Sequence, residues 1–140
     1  MANYNIITKF IKDVSFEIPN VETLLYVEEN INKYNVKVDI VSKILKNDLV
    51  QVDTILKIEG SEELKRRIQI EVTLAAVARI NEEGMNDKKE LKKIILIHVP
   101  TEIYPILFEA FSYLIKKSGL PNFVIQENVD FKKLYQSKFA

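Results

Sequence analysis

Few side chains in this sequence are suited to catalysis, because it holds one histidine and no cysteine. The single imidazole, His98, leaves no histidine pair for a metal ion and no second imidazole for a proton relay. His98 also falls on an apolar helical face, where we expect a packed or interface side chain. Adjacent carboxylates such as Glu62 and Glu63 belong to a turn, where solvation is a simpler interpretation than an acid–base couple. We therefore predict that the protein is not an enzyme and uses no metal ion or cofactor.

Acidic and polar side chains alternate on two predicted strands. Asp13, Ser15 and Glu17 occupy odd positions of the first strand, and Gln69 and Glu71 occupy odd positions of the fourth. If the two odd faces correspond in space, these residues form an acidic patch on an exposed sheet face. Such a patch would attract a basic partner surface and would be weakened by salt. A solvated strand face without a partner is the alternative interpretation.

The segment Gln69–Ile80 is the clearest strand and the element that organises the predicted sheet. Its even positions are apolar from Ile70 onward and its odd positions begin with polar side chains, which is the period-2 pattern of a strand with one buried face. The odd face becomes apolar at Ala75 and Val77. We therefore expect the second half of this strand to be covered on both sides.

Three further strands are predicted from the same alternation, at Ile6–Ile18, Val36–Ile44 and Val50–Ile58. In the first of them, the apolar even positions, Phe10 included, are predicted to share one buried face, with Lys9 on the odd face. Turn residues at Lys46-Asn47-Asp48 join the second strand to the third. The stretch Val21–Asn35 shows no clean period, and we predict an irregular connection there. The short turns between consecutive strands make the predicted sheet antiparallel.

Helical spacing replaces the strand pattern in the second half of the chain. Apolar residues from Leu91 to His98 predict a helix that ends at Pro100. Thr101 is predicted to cap a second, longer helix, which ends before Gly119.

The longer helix is apolar nearly all round. Four apolar residues lie off its main stripe: Ile106, Phe108, Tyr113 and Ile115. We expect its own sheet to cover one side of this helix and another subunit to cover the other. Asp130 is predicted to cap a short last helix. Residues 1–140 are thus predicted to form a single α+β domain, in which a four-stranded antiparallel sheet is backed by a long helix and shorter helices.

The charge balance and the N-terminus bear on the compartment and on possible partners. Twenty basic and twenty acidic residues cancel, so the net charge does not favour nucleic-acid binding. The first residues lack the basic and apolar regions of a signal peptide, and the longest continuous apolar runs are far shorter than a membrane span. We expect a cytoplasmic protein that binds no nucleic acid and does not insert directly into a membrane.

Several motifs resemble those of one family. The segment Lys12–Asn20 reads KDVSFEIPN and resembles the N-terminal signature of the SecB family of protein-export chaperones. Tyr104-Pro105 with Glu109 is similar to the family's long-helix segment, and Gly119-Leu120-Pro121 is similar to the turn that follows it. Val129-Asp130-Phe131 with Leu134-Tyr135 resembles the family's closing motif. The resemblance covers nearly the whole chain in order.

The resemblance implies an ATP-independent holdase, a chaperone that binds unfolded preproteins in long apolar grooves and passes them to the SecA motor ATPase. It also implies a homotetramer built as a dimer of dimers. The family contacts SecA through acidic residues of the exposed sheet face, which correspond here to Asp13, Glu17 and Glu71. The loop after the long helix lines the client groove in the family, and it corresponds here to Leu120, Phe123, Val124 and Ile125.

Two alternative functions remain open at this stage. The first is a SecB-like chaperone dedicated to the antitoxin of a toxin–antitoxin system, for which SecA would be irrelevant. The second is an oligomeric adaptor without chaperone activity, in which the loop Leu120–Ile125 would be packed shut.

Overall fold

A computed structural model describes residues 3–60, 68–120 and 125–139 of the chain. The strands in these ranges are β1 (Tyr4–Glu17), β2 (Tyr34–Lys46), β3 (Leu49–Gly60) and β4 (Gln69–Ile80). The α-helices are α1 (Val21–Glu29), α2 (Glu82–Asn86), α3 (Lys88–Lys93), α4 (Val99–Ser118) and α5 (Phe131–Phe139). A 3-10 turn forms at Ile31–Lys33 and a π-helical segment at Ile94–His98. The predicted α+β fold with its four-stranded antiparallel sheet is confirmed.

The sheet is antiparallel throughout and has the strand order β1-β4-β3-β2. Strands β2, β3 and β4 form a meander, and β1 pairs with the free side of β4. The bounds of β4 agree with the sequence prediction. Asn47 makes the β2–β3 turn with a φ of 51°, a left-handed conformation that asparagine tolerates. The predicted turn that holds Glu62 and Glu63 falls in residues 61–67, which lie outside the described residues.

Strand β1 does not alternate regularly, because its pairing with β4 shifts by one residue at Ile7 and again at Lys12. Each shift is a β-bulge, and a bulge moves the side chains that follow it to the opposite face of the sheet. Phe10 therefore pairs with Ala75 on the odd face of β4, and the prediction that Phe10 shares the buried even face is wrong. The predicted position of Lys9 on the odd face is wrong for the same reason.

The prediction of an irregular connection over Val21–Asn35 is wrong, because helix α1 occupies Val21–Glu29. Its N-cap is Asn20, whose Oδ1 accepts hydrogen bonds from the backbone N–H and the hydroxyl of Thr23, at 2.8 and 2.7 Å. Thr23 and Val27 are its buried residues, one turn apart. A helix of two and a half turns with so narrow a buried face leaves little periodic signal in the sequence.

The helical run does not end at Pro100 as predicted. The π-helical segment leads directly into α4, and the backbone N–H of Val99 bonds to the carbonyl of Ile94, five residues back. Pro100 follows directly and has no N–H to donate, so the helical run continues past it without a hydrogen bond from this residue. Thr101 is inside the helix, and its hydroxyl donates to the carbonyl of Ile97, so its predicted role as a cap is also wrong.

Helix α4 packs along the even face of β4 and β3 through a buried stripe that includes Ile103, Leu107 and Phe111. It ends as predicted, because Gly119 adopts the left-handed conformation, with a φ of 87°. The last helix is also capped as predicted, since Asp130 Oδ1 accepts from the backbone N–H of Lys133 at 3.0 Å.

The continuous helical run Lys88–Ser118 is long and apolar enough to cross a membrane by length and composition alone, with a mean hydropathy of 1.5 in its most apolar window. Of that window, 39% is buried inside the subunit. Core helices of soluble proteins meet the same criterion, and the packing of α4 on the sheet accounts for its apolar inner side.

Candidate partner-binding face and apolar grooves

The sheet has one face without a helix, which we call the open face. It carries the odd positions of β4, whereas the even residues such as Val72 and Leu74 face α4 and are buried. Across the sheet, the open-face rungs read Phe10–Ala75–Asp53–Val41, Asp13–Thr73–Ile55–Asp39 and Ser15–Glu71–Lys57–Lys37. Ala75 is fully buried even on this face, which agrees with the expectation that the second half of β4 is covered on both sides.

The three predicted partner-binding carboxylates lie close together on the open face, and we call them the acidic surface: Asp13, Glu17 and Glu71. Ser15, between the two acids of β1, pairs directly with Glu71 on β4. Asp13 and Glu17 are exposed and Glu71 is partly exposed. The Ser15 hydroxyl donates to Asp13 Oδ2 at 3.3 Å. Side chains two residues apart on a strand are about 7 Å apart, so one partner surface can contact all three.

A ladder of ion pairs borders the acidic surface on the side of β3 and β2. Lys57, opposite Glu71, donates to Asp39 at 3.0 Å and also lies 3.7 Å from Glu59, and Lys37 reaches Glu59 at 2.7 Å. The hydrogen bond to Asp39 raises the pKa of the Lys57 ammonium, and the hydrogen bond from Lys37 lowers the pKa of the Glu59 carboxyl. Both shifts favour the charged forms, so the two lysines of the ladder balance its two carboxylates. The negative charge that is not balanced by the ladder lies towards β1, on the acidic surface.

An apolar groove of about 500 Å³ runs between β1 and α4, and we call it the β1 groove. It is lined by Ile11, Val14, Val72, Ile106, Glu109, Ala110, Tyr113 and Leu114. Ile106 is 39% exposed and Tyr113 is 61% exposed. Phe108 is partly buried and lines an adjoining depression that shares Glu109 and Tyr113 with this groove. Three of the four predicted interface residues thus belong to one continuous surface.

Ile115, the fourth predicted interface residue, is placed differently. It is 4% exposed and packs in the core of its own subunit. The distinction follows from helical geometry, because Ile115 continues the buried stripe four residues after Phe111, whereas Ile106 and Tyr113 lie on the outer side. Hydropathy alone does not separate these positions.

A second groove, of about 560 Å³, lies between strand β2 and helix α5, and we call it the β2 groove. Its lining comprises Val36, Val38, Gln126, Val129, Asp130, Lys133, Leu134 and Ser137. Residues of the segment after α4 therefore contribute to it. The Tyr104 hydroxyl holds this segment by donating to the carbonyl of Gln126 at 2.6 Å, and burial raises the pKa of Tyr104.

The four predicted client-groove residues fall in different environments. Leu120 is fully buried in the core of its own subunit, and Ile125 is partly buried against that core next to the β2 groove. Phe123 and Val124 lie outside the described residues. The predicted segment is therefore adjacent to an apolar groove, but Leu120 itself does not line its surface.

His98 is exposed on the surface of the chain and not buried in its core, and the alternative of an interface histidine stays a prediction. Its ring stacks on Tyr4 with 6.1 Å between the ring centroids. The Tyr4 hydroxyl donates to Glu102 Oε2 at 3.0 Å, and burial together with this bond raises the pKa of Tyr4 to about 12. The contact joins the start of β1 to the start of α4. Within the described ranges, no group of three or more histidine and acidic residues is placed to hold a metal ion.

A family model described as preprotein translocase subunit SecB matches residues 1–140. The chain belongs to the SecB family. A putative protein-export protein SecB from Pelagibacter ubique is 39% identical over 136 residues, which cover 97% of this chain and 96% of that protein. The protein-export protein SecB of Nitrobacter winogradskyi is 28% identical, over 94% of this chain and 80% of that protein. The resemblance indicated by the sequence motifs is therefore confirmed.

A solved structure supports the same fold. The SecB-like chaperone of Mycobacterium tuberculosis, solved in complex with a ChAD peptide from an antitoxin, superposes with a TM-score of 0.64 over 91% of this chain and 88% of that one. At 11% sequence identity this similarity concerns the fold alone. Because SecB-family proteins are chaperones, the chain is a chaperone of preprotein export and not an enzyme.

Proposed function

We propose that this SecB-family chain is a cytoplasmic, ATP-independent holdase that binds unfolded preproteins and delivers them to the SecA motor. The observation that carries the proposal is the β2 groove between strand β2 and helix α5, which the chain's own described residues leave uncovered. Holding an unfolded chain requires accessible apolar surface of this kind, and its burial is worth about 25 cal/mol per Å². Because such burial is non-directional, it tolerates clients of many sequences.

We assign the β2 groove and the segment that holds Phe123, Val124 and Ile125 to the client. Strand β2 is an outer strand of the sheet, and its exposed side chain Ile44 lies beyond the groove on the same face of the sheet. An extended client segment can bury side chains in the groove and pair its backbone with an open strand edge. Several such grooves in one oligomer would bind one long client with added avidity.

We assign the β1 groove to subunit contacts in a dimer of dimers. Strand β1 is the other outer strand, and it exposes apolar side chains on both of its faces, among them Phe10 and Ile11. A long apolar outer strand promotes aggregation unless another chain covers it. Ile106, Phe108 and Tyr113 extend the same surface along α4, which supports their assignment to the oligomer interface.

We assign the acidic surface to SecA. Asp13, Glu17 and Glu71 share the open face, away from both grooves, so client and motor can bind the same oligomer at once. Exposed carboxylates of this kind mainly govern association rate and specificity, and their effect falls with ionic strength.

The proposal is tested by mixing the oligomer with a preprotein, either native or freshly diluted from denaturant, and separating complexes by size-exclusion chromatography without nucleotide. We expect co-elution with the unfolded preprotein only. The same measurement with several unrelated unfolded preproteins distinguishes an export chaperone from a chaperone dedicated to one antitoxin, because a single-client chaperone would bind none of them. Addition of SecA should then produce a ternary complex.

A further inference from the structure

Next to the acidic surface, the open face carries apolar side chains on all four strands, and we call them the apolar strip. Its members are Phe10 on β1, Val77 on β4, Ile55 on β3 and Val41 on β2. Phe10 is 46% exposed and Val41 is 56% exposed, and the other two are partly exposed. Because the strip lies on the face without a helix, the subunit leaves this apolar surface in contact with solvent.

Phe10 is the largest side chain of the strip, and the bulge at Ile7 brings it to the open face. Phe10 pairs directly with Ala75, and directly paired residues share one face of a sheet. It therefore lies on the opposite face of β1 from Ile11 and Val14, which line the β1 groove. A subunit that fills that groove leaves Phe10 available, and phenylalanine is among the side chains enriched at the core of protein interfaces.

The charged side chains inside the strip balance each other. The Lys12 Nζ lies 2.7 Å from Oδ2 of Asp53, and the other oxygen of Asp53 accepts from Gln51 Nε2 at 2.9 Å. The Asp53 side chain is only 10% exposed, so this carboxylate is already largely removed from water. A partner that covers the strip therefore adds little desolvation cost at Asp53 and leaves its charge paired.

The surroundings of the strip select the chemistry of its partner. Asp13 pairs with Thr73 in the rung that also holds Ile55, and it lies roughly 10 Å along β1 from Phe10. The acidic surface thus continues directly from the strip. An apolar core beside a charged rim is the usual arrangement of a protein interface. A fitting partner carries basic side chains next to an apolar patch.

We propose that the apolar strip is the core of the SecA-binding surface, with Phe10 as its anchor and the acidic surface as its rim. The inference rests on the proposed assignment of the acidic surface to SecA. The strip supplies a part of the affinity that does not depend on salt, whereas the carboxylates supply the part that does. An unfolded client or a second copy of this chain are the competing occupants of the strip.

The test compares Phe10→Thr with Phe16→Thr in titrations of the intact oligomer with SecA at several salt concentrations. Threonine retains a high strand propensity. Phe16 is the matched control, because it is a 39% exposed phenylalanine of the same strand that pairs with Ile70 on the α4 side. Phe10→Glu is a second variant, which adds a carboxylate beside the acidic surface. Client retention and oligomeric mass are measured for every variant.

We expect Phe10→Thr to weaken SecA binding roughly tenfold, the size expected when about half of an aromatic side chain is no longer buried on binding. The slope of log Kd against log salt should keep its wild-type value, because no charge changes. Phe16→Thr should bind SecA as the wild type does. Phe10→Glu should also weaken binding, although its added charge alone would strengthen the attraction to a basic partner.

Wild-type SecA affinity in Phe10→Thr, or tighter binding by Phe10→Glu, would overturn the proposal and leave the assignment of the acidic surface intact. Loss of client retention or of oligomeric mass at unchanged SecA affinity would assign the strip to a client or to a second copy, which also overturns it.

Two further outcomes are separated by design. If Phe10→Thr does not fold, Val41→Thr removes exposed apolar surface from the other end of the strip, and a loss of about threefold in SecA affinity is expected. Wild-type affinity in that variant would overturn the proposal. If the wild-type protein itself does not bind SecA, the proposed partner is wrong and this inference fails with it.

Discussion

Reversal of two charges on the acidic surface tests whether it binds SecA. The variant Asp13→Arg with Glu71→Arg changes an exposed and a partly exposed carboxylate on adjacent strands. Neither side chain belongs to the core, so we expect the fold, the oligomer and client binding to persist.

The magnitude follows from the geometry of an exposed face. Unit charges about 6 Å apart attract by about 0.7 kcal/mol in water and by about 3 kcal/mol at an effective dielectric constant of 20. Reversing a charge replaces attraction by equal repulsion, so at the solvent limit each substitution costs about 1.4 kcal/mol. Two substitutions then cost about 3 kcal/mol, which is a loss of roughly 100-fold in affinity.

The assay is a calorimetric or fluorescence titration of SecA at two salt concentrations, with client binding measured in parallel. A matched control is Glu28→Arg with Glu29→Arg, which makes the same change in net charge at exposed positions of α1, away from the open face. We expect full affinity in the control. If the Asp13 and Glu71 variant binds SecA with wild-type affinity, the assignment is refuted. If the control loses as much affinity, the loss is explained by net charge and not by this surface.

Two other predictions concern the oligomer and the contact between β1 and α4. Ile106→Arg with Tyr113→Arg places charges in the β1 groove and should convert the assembly to smaller species in analytical ultracentrifugation. The control Val21→Arg changes a position on α1 that is 65% exposed and should leave the assembly intact. An intact assembly in the groove variant would show that this groove is not the interface. Burial and the bond to Glu102 raise the pKa of Tyr4 to about 12, so its contribution to stability is complete below pH 10 and is lost as the pH rises from 10 to about 12. Urea unfolding across that range should therefore show a larger loss of stability in the wild type than in Tyr4→Phe, and parallel curves would contradict the role of this hydroxyl.

Regular alternation and end signals made much of the fold predictable from the sequence. The bounds of β4 follow from uninterrupted apolar residues at even positions, and the end of α4 follows from Gly119, whose left-handed φ is one that other residues rarely adopt. The location of Asp13, Ser15 and Glu17 on the face of Gln69 and Glu71 was likewise predicted, because the two one-residue shifts of β1 cancel and restore the original alternation after Lys12.

Features that depend on tertiary contacts were not predictable in the same way. The bulge at Ile7 shifts the alternation of the residues that follow it, and no glycine or proline marks its position, so Phe10 was placed on the wrong face. A proline usually marks the end of a helix. Here the π-helical segment joins α3 to α4, and Pro100 lies in the first turn of α4. The signal for α1 was present in Asn20 followed by Thr23, a capping pattern that outweighs the weak periodicity behind it.

The separation of core from surface along α4 was predicted only in part. Ile106, Tyr113 and Ile115 are all apolar or aromatic, yet only Ile115 belongs to the subunit core. The ion pair of Lys12 and Asp53 joins residues 41 positions apart, on strands β1 and β3, across strand β4, which lies between them. The ion pair cannot be derived from local sequence spacing, whereas the buried position of Ile115 follows from its spacing of four residues from Phe111.

The holdase activity is tested most directly by light scattering from a chemically denatured, slow-folding protein diluted into buffer with and without this chaperone, in the absence of nucleotide. We predict that near-stoichiometric amounts of the oligomer suppress aggregation, because its apolar grooves bind the exposed apolar segments of the client. Undiminished aggregation in the presence of an intact oligomer would contradict the assignment of this chain as a general holdase.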